Sequence, residues 1–386
     1  MKEIEFNSKK WDLIIDSPGR INIIGEHTDY NNGFVLPTAI DKKNQLKFNK
    51  NKSATTCNIH SCNFNASLTF ELDSISTSDN QWENYVLGVI YELQQLTDKL
   101  KGFDCILDSD IPVGSGISSS AALECGIAYG LNELFELGLS KQEIVALSQR
   151  AEHNYVGTKC GIMDQFSSVM SKAGHVILLD CKSLDHEYVP IAIAPYKILL
   201  LNTNVSHNLA SGEYNVRRSQ CEEGVAIIHE KYNEVSSLRD VSMTMLAEFK
   251  NELSEDVFNR CTYIIEEKER VLKSVEALKE SSLHQSGKYM FETHHGLQHL
   301  YDVSCPELDY LVDFSKCFDE VIGSRMMGGG FGGCTINLIH EDAVAHFIEE
   351  ATNAYYNKFN IKLTAFEAMP SEGTCIKTNN LYCNLA

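Results

Sequence analysis

Along the first part of the chain, apolar and polar residues alternate in short bursts. WDLIID, RINIIG, QLKFNK and ASLTFEL are set apart by Gly, Asn and Ser. Such bursts predict β-strands within residues 11–72. The period then changes. Trp82, Tyr85, Val86, Val89, Ile90, Leu93 and Leu96 recur at helical spacing, which predicts a helix from Trp82 to about Leu100. GFDCILDSDIP reads as a strand running into a turn. A Gly/Ser run, VGSGISSS, opens into AALECGIAYGLNELF, a helix candidate, and a second helix is expected from Ser140 to Tyr155. HVILLD and YKILLLN are apolar enough for buried strands. From Glu213 to Phe318 helical patterns with interleaved charges dominate. A glycine-rich turn, MMGGGFGG, leads into the strand CTINLI, followed by a helix over 341–357 and a strand over 361–367. The expected fold class is α+β, with two intimately packed halves and a soft boundary near 190–205.

Composition narrows the function. The 386 residues are enough for two or three domains. Lys and Arg number 33 against 53 Asp and Glu, a net charge of −20. That balance excludes a general binder of nucleic acid or anionic membrane, which needs a positive face. Any phosphate ligand must therefore be held locally, by backbone N–H groups, a helix N-terminus, a metal or a few placed cations. The 13 cysteines form no C-x-x-C pair and read as reduced thiols of a cytoplasmic protein. The N-terminus lacks the apolar core of a signal peptide, and no stretch approaches 18 apolar residues. A cytoplasmic location is expected.

Three polar clusters carry the candidate chemistry. In IPVGSGISSSAALECG, Gly114 and Gly116 permit a tight turn, and Ser118, Ser119 and Ser120 stand where a helix begins. A helix N-terminus offers free N–H donors to an anion. The run reads either as a phosphate cradle or as a capped helix behind a flexible turn; it is no Walker-type loop. SPGRINIIGEHTDYNNGFVLP gathers Arg20, Glu26, His27, Asp29 and Tyr30 after strand residues. Carboxylates and a cation converging in this way suit sugar hydroxyls, which donate and accept; a polar surface turn is the plain alternative. In AEHNYVGTKCGIMDQF, Asp164 starts a probable helix, either as a helix-stabilising acid or as a carboxylate aimed at a substrate hydroxyl. The late run GGGFGG contains G-x-G-x-x-G, yet a strand follows where a dinucleotide fingerprint needs a helix. His294, His295 and His299 lack a third ligand for zinc.

Taken in order, RINIIGEHTDYNNGFVLP, PVGSGISSSAAL and MMGGGFGGCTINL resemble the three diagnostic regions of the galactokinases, of the GHMP small-molecule kinase superfamily. QWENYVLGVI, CGIMDQF and SGEYNVRRSQC add to the likeness. The resemblance implies a two-domain fold with the active site in the interdomain cleft. Residues 1–195 would form the N-terminal domain, and 196–386 a C-terminal domain with a ferredoxin-like core. It implies ATP-dependent phosphorylation of the anomeric hydroxyl of D-galactose. Asp164 would be the catalytic base beside Arg20. Glu26, His27, Asp29, Gly161 and Tyr214 would bind the sugar. Gly114, Ser115, Gly116, Ile117, Ser118, Ser119 and Ser120 would wrap the ATP phosphates, with Trp82 and Tyr85 flanking the adenine. Ser120 and Glu152 would hold Mg²⁺. D-galactose and ATP would be the partners of a monomer that binds neither nucleic acid nor membrane.

Ser115 departs from the Gly or Ala more usual in such loops, and Met327 and Gly329 stand where Thr and Ala are more usual, a change expected to bear on nucleotide contacts. The short chain ahead of Ser17 implies that an N-terminal helix is missing. Thr28 and the N-N-G-F run favour galactose over N-acetylgalactosamine. The intact Ser120-Ala121 pair argues against a non-catalytic sugar sensor, and a purely structural protein has no need of the polar clusters.

Overall fold

A computed structural model describes residues 10–112, 114–206 and 210–377. The segment ahead of Lys10 and Val113 of the Gly/Ser run lie outside the described residues.

Strands β1 (Leu13–Asn22), β2 (Phe34–Val35), β3 (Pro37–Lys50), β4 (Thr56–Ser61) and β5 (Ala66–Glu71) precede helix α1 (Gln81–Gln94) and strand β6 (Phe103–Ser109). Helices α2 (Ser119–Phe135), α3 (Lys141–Ala151) and α4 (Met163–Met170) follow, then β7 (His175–Asp180), β8 (His186–Pro190) and β9 (Tyr196–Ser206). The helical stretch comprises α5 (Ala210–His229), α6 (Met243–Glu248), α7 (Glu255–Lys279), α8 (Leu283–His299) and α9 (Pro306–Ser315). Strands β10 (Val321–Met326) and β11 (Gly332–His340), helix α10 (Val344–Phe359), and strands β12 (Thr364–Ala368) and β13 (Cys375–Ile376) complete it.

The described residues form three sheets. The first runs β13-β1-β3-β6-β4-β5, with only the β4–β6 pair parallel. The second, β10-β11-β9-β12, is antiparallel throughout. With α5–α9 between β9 and β10, and α10 between β11 and β12, it has the β-α-β-β-α-β order of a ferredoxin-like unit. The third is β2-β7-β8. The first sheet is covered by α1–α4 over a core that includes Phe48, Phe103, Val89 and Leu131. A second core joins Ile21, Ile23, Leu36 and Val176 to Ile198, Leu200, Ile336 and Leu338, so the halves share apolar burial instead of hanging from a linker. The last strand returns to the first sheet, where Ile376 pairs with Ile15.

Two expectations change here. WDLIID and RINIIG, expected as separate strands, are one ten-residue strand. Ser17-Pro18-Gly19 does not end it, because β3 pairs on both sides of a register shift between Pro18 and Arg20; a bulge absorbs the proline. Helix α1 stops at Gln94, short of Leu100, and leaves Leu96 half exposed at 52%. Other ends follow local chemistry. Ser140 and Glu143 form a capping box on α3, and Ser254 caps α7. Among the described residues no helix is long and apolar enough to cross a membrane, and the described cysteines are all unpaired, most of them buried.

Candidate active site

The bulge in β1 presents Arg20 at the strand's end, where its main-chain N–H is held by the Ile117 carbonyl at 3.0 Å. The Arg20 side chain is buried. Nε and Nη2 donate to Oδ1 and Oδ2 of Asp164 at 2.7 and 2.8 Å, and Nη1 donates to the Gly116 carbonyl at 2.7 Å. Burial disfavours the guanidinium charge, but the Asp164 carboxylate outweighs it, and the Arg20 pKa is raised. Asp164 sits in the first turn of α4 with 24% of its side chain exposed. Ser118, the residue before α2, adopts a left-handed φ of 59° and donates its hydroxyl to Asp164 Oδ2. It therefore gives α2 no side-chain cap, and the first N–H groups of that helix stay open to a ligand. Three acceptor directions of Asp164 are taken, leaving one of the usual four on Oδ1.

This pair borders a cavity lined by Arg20, Glu26, His27, Asp29, Cys160, Met163, Asp164, Tyr214, Gly328 and Gly329. Glu26 is 1% exposed. It accepts from Asn22 Nδ2 at 2.7 Å and from the Gly328 N–H at 3.1 Å, and it pairs with Arg325 Nη1 at 2.9 Å. Burial raises its pKa against the pull of Arg325. Burial also raises Asp29 to about 7, with the Asp164 charge adding to the shift. Gly161 is obligatory beside it, since a Cβ there would fall 1.9 Å from Asp29 Oδ2. His27 is held at φ 64° with Nδ1 2.8 Å from the Tyr30 hydroxyl. Its Nε2 is buried without a hydrogen-bond partner among the described residues. Burial lowers its pKa to about 3, so the ring is neutral. Tyr214 of α5 packs 5.4 Å from the His27 ring.

A second, larger cleft of about 450 Å³ lies on the other side of the Gly/Ser run. Trp82 and Tyr85 of α1, Ser119 and Ser120 of α2, Phe64, Asp79 and Ile111 are among its lining residues. The turn between the two hollows is built on Gly114 (φ 71°) and Gly116 (φ 74°). Ser115 is buried, its hydroxyl donating to the Pro112 carbonyl at 2.6 Å, and Ile117 is buried in the core shared by the halves. The late glycine loop packs against this turn: a Cβ on Gly328 would lie 3.1 Å from the Gly116 carbonyl. It continues into β11, as a turn reading of G-x-G-x-x-G requires. Met327 is core, and Gly329 lines the smaller cavity, where an added Cβ would lie 3.5 Å from the Tyr214 ring. These two departures therefore bear on the cavity and the turn and lie outside the larger cleft.

Glu152 opens a π-helical turn after α3, a distortion frequent at functional sites. It accepts from Gln165 Nε2 at 2.7 Å, and Cys160 Sγ lies 3.6 Å away. Burial raises it to about 7, with the Asp164 charge adding. The fully buried Glu124 hydrogen-bonds to it and is pushed well above the usual carboxyl range by burial. Glu124 Oε1 has no hydrogen-bond partner among the described residues. Ser120 stands one helical turn before Glu124 on α2 and lines the larger cleft. Hard oxygen donors beside crowded carboxylates fit Mg²⁺. Among the described residues no three His, Cys, Asp or Glu form a metal-holding cluster. His294 is held by the Met326 N–H at 3.2 Å and by Asp309 at 3.3 Å.

Sequence reasoning did not find Arg325, Gln165, Glu124 or Phe64. Arg325 is fully buried on β10 and donates to the carbonyls of Asn22, Ile23 and Met326.

The GHMP kinases N terminal domain model matches residues 84–172, and the GHMP kinases C terminal model matches residues 274–358. Fold and site together define a GHMP kinase. A mevalonate kinase shares the fold at a TM-score of 0.64 and 20% identity, over 93% of this chain and all of that one. The galactokinase galactose-binding signature matches residues 3–44. A galactokinase of Thermosipho africanus is 42% identical over 359 residues, 93% of this chain and 98% of the relative. One from Chloroflexus aggregans is 39% identical over 343 residues, 89% and 87% of the two chains. The crystal structure of Lactococcus lactis galactokinase complexed with galactose matches at a TM-score of 0.90 and 31% identity, covering 94% of each chain. The chain belongs to the galactokinases, ATP-using sugar kinases of the GHMP superfamily.

Proposed function

We propose that this chain transfers the γ-phosphoryl group of ATP to the anomeric hydroxyl of D-galactose, yielding galactose 1-phosphate and ADP, the first committed step of galactose catabolism (the Leloir pathway). The observation that carries this reading is the bidentate Arg20–Asp164 pair between the cavity of Glu26, His27 and Asp29 and the open start of α2. The sugar lies in that cavity, with Glu26, Asp29, His27 Nε2 and Tyr214 meeting its hydroxyls and Gly161 keeping Asp29 in place. The free acceptor direction on Asp164 Oδ1 orients the anomeric hydroxyl and takes its proton as oxygen bonds to phosphorus and the bond to ADP breaks. Three of the five Arg20 N–H groups are engaged, leaving two to stabilise charge on the moving phosphoryl group.

Gly114 to Ser120 cradle the phosphates, and Trp82 and Tyr85 flank the adenine. Ser120 and Glu152 would hold Mg²⁺, which when bound neutralises charge on the β- and γ-phosphate oxygens. The reading includes a cytoplasmic monomer and a division after residue 195, supported by Tyr196 opening the first strand of the second sheet, with 375–376 tying back to the first. The test is an ATP- and Mg²⁺-dependent assay with galactose, galactosamine derivatives and arabinose, comparing wild type with Asp164→Ala. Galactose 1-phosphate should form in wild type and drop by roughly 10²- to 10⁴-fold in the variant. Undiminished turnover in Asp164→Ala would remove that residue as the base.

A further inference from the structure

Phe64 is an apolar aromatic side chain left 53% exposed, at the tip of the β4–β5 hairpin. Its ring stacks on Trp82, with centroids 6.1 Å apart and planes 30° from parallel. Both rings line the cleft that also holds Ser119 and Ser120 at the start of α2. Trp82 leans on the core behind it, so its other face is offered to Phe64 and the cleft.

The hairpin tip is tied in place. Asn63 exchanges two hydrogen bonds with the main chain of Ser109 on β6: Nδ2 donates to the carbonyl at 2.8 Å, and the N–H returns one to Oδ1 at 2.9 Å. The Cys62 N–H donates to the Leu107 carbonyl at 2.8 Å, and Asn65 closes the turn at φ 46°. Turn chemistry alone would favour a small or polar residue at position 64. A large aromatic held over a cleft by its neighbours is instead what a flat ligand needs, because stacking works on the π-face of any base.

We propose that Phe64 is the second aromatic wall of the nucleotide site, closing on the nucleobase opposite Trp82. This rests on the reading of the larger cleft as the ATP site. The base enters at the Trp82 face, and Phe64, moving with its exposed side chain, covers the opposite face. The surface that Phe64 exposes without ligand is then buried only in the complex. Recognition here is by stacking, while the phosphates are held separately by the 114–120 turn and α2.

The chain has two tryptophans, so a Trp11→Phe background leaves Trp82 as the reporter. In that background ADP is titrated with Trp82 emission as the signal, and ADP and inorganic tripolyphosphate are titrated by calorimetry. Phe64→Ala should weaken ADP roughly tenfold, the scale of one base–aromatic contact, and leave tripolyphosphate, which has no base, as in wild type. Phe64→Tyr should restore ADP affinity, and KM for ATP should rise in Phe64→Ala while KM for galactose holds. Wild-type ADP affinity in Phe64→Ala overturns the inference while the cleft assignment stands. Equal weakening of ADP and tripolyphosphate also overturns it, since Phe64 would then act on the phosphate turn. ADP binding to which Trp82 emission is indifferent overturns the cleft assignment, and this inference with it.

Discussion

The smaller cavity draws an arginine and three carboxylates, Arg20, Glu26, Asp29 and Asp164, largely out of water, whereas the lining of the larger cleft contains one carboxylate, Asp79. In the cavity Arg20 and Asp164 answer each other and Glu26 is answered by Arg325, far away in sequence, while Asp29 is met by the main-chain N–H of Tyr30. In the cleft the walls are aromatic and aliphatic, with a rim of neutral Asn and Ser. The difference fits the proposed reading, in which the cavity holds the sugar and the cleft holds the base. Sugar hydroxyls are matched one at a time by buried donors and acceptors, and a buried group left unmatched is costly. A base is held by its faces, and each lost contact costs only its own stacking. The cavity should therefore be brittle and the cleft forgiving.

The largest expected break is at Arg325. Arg325→Met removes the only cation that pairs with Glu26 among the described residues and leaves that carboxylate buried. Breaking one side of a buried pair costs about 3–5 kcal/mol, read as a lowered unfolding midpoint together with weakened galactose binding. Adding Glu26→Gln should recover much of the stability but not the galactose affinity. At the cleft, Asp79→Asn should stay within about 0.5 kcal/mol of wild type, as an exposed substitution does. A smaller contrast comes from two glycines. Gly161→Ala drives a Cβ into Asp29, costs about 1–3 kcal/mol as overpacking and raises KM for galactose. Gly114→Ala meets nothing within 4 Å; it carries only the penalty of a left-handed φ, about 1–2 kcal/mol, and spares KM for galactose. Equal effects of the two on galactose KM would erase the distinction between the hollows.

The same contrast governs what could be read in the sequence. The residues proposed to meet the ligands stand out locally: the Gly/Ser run before α2, the E-H-x-D cluster after β1, and Asp164 at the head of a helix. Helices α2, α3 and α10 and strands β6, β7, β9 and β11 carry clear helical spacing or apolar runs and match expectation. The supporting residues do not announce themselves. Arg325 lies 299 positions beyond Glu26 (325 − 26), inside SRMM, a stretch with no charge pattern. Gln165 follows Asp164 and reads as ordinary helix. Phe64 sits among Asn residues that read as turn punctuation, and its role depends on a hairpin whose first strand, β4, was itself hidden by polar alternation (TCNIHS). The first half of β3, ahead of QLKFNK, was hidden too: it pairs with β1 along one edge, while β6 takes up the other edge only from Asn44 onward, and the neighbouring strand decides its conformation more than propensity does.

Titration gives the finest discrimination, because two cavity groups shift in opposite senses. Asp29, raised to about 7 from an ordinary 3.8, keeps its proton in the folded state between about pH 4 and 7, where the unfolded chain has lost it. Stability from this group therefore falls as pH rises through that window. His27, lowered to about 3 from 6.5, is unprotonated when folded over a range where the unfolded chain binds a proton. Its contribution is lost as pH falls from 6.5 towards 3. Each slope is at most about 1.4 kcal/mol per pH unit. Relative to wild type, Asp29→Asn should gain stability as pH climbs from 4 to 7, and His27→Gln should gain it as pH drops below 6.5. Phe64→Ala removes no titrating group, so its difference from wild type should be flat across the range. The measurement is the unfolding midpoint of each chain, without ligand, in a series of buffers of equal ionic strength. Flat differences for Asp29→Asn and His27→Gln as well would mean that water reaches both side chains freely, and the account of the sugar cavity as a dry, charge-matched hollow would fall.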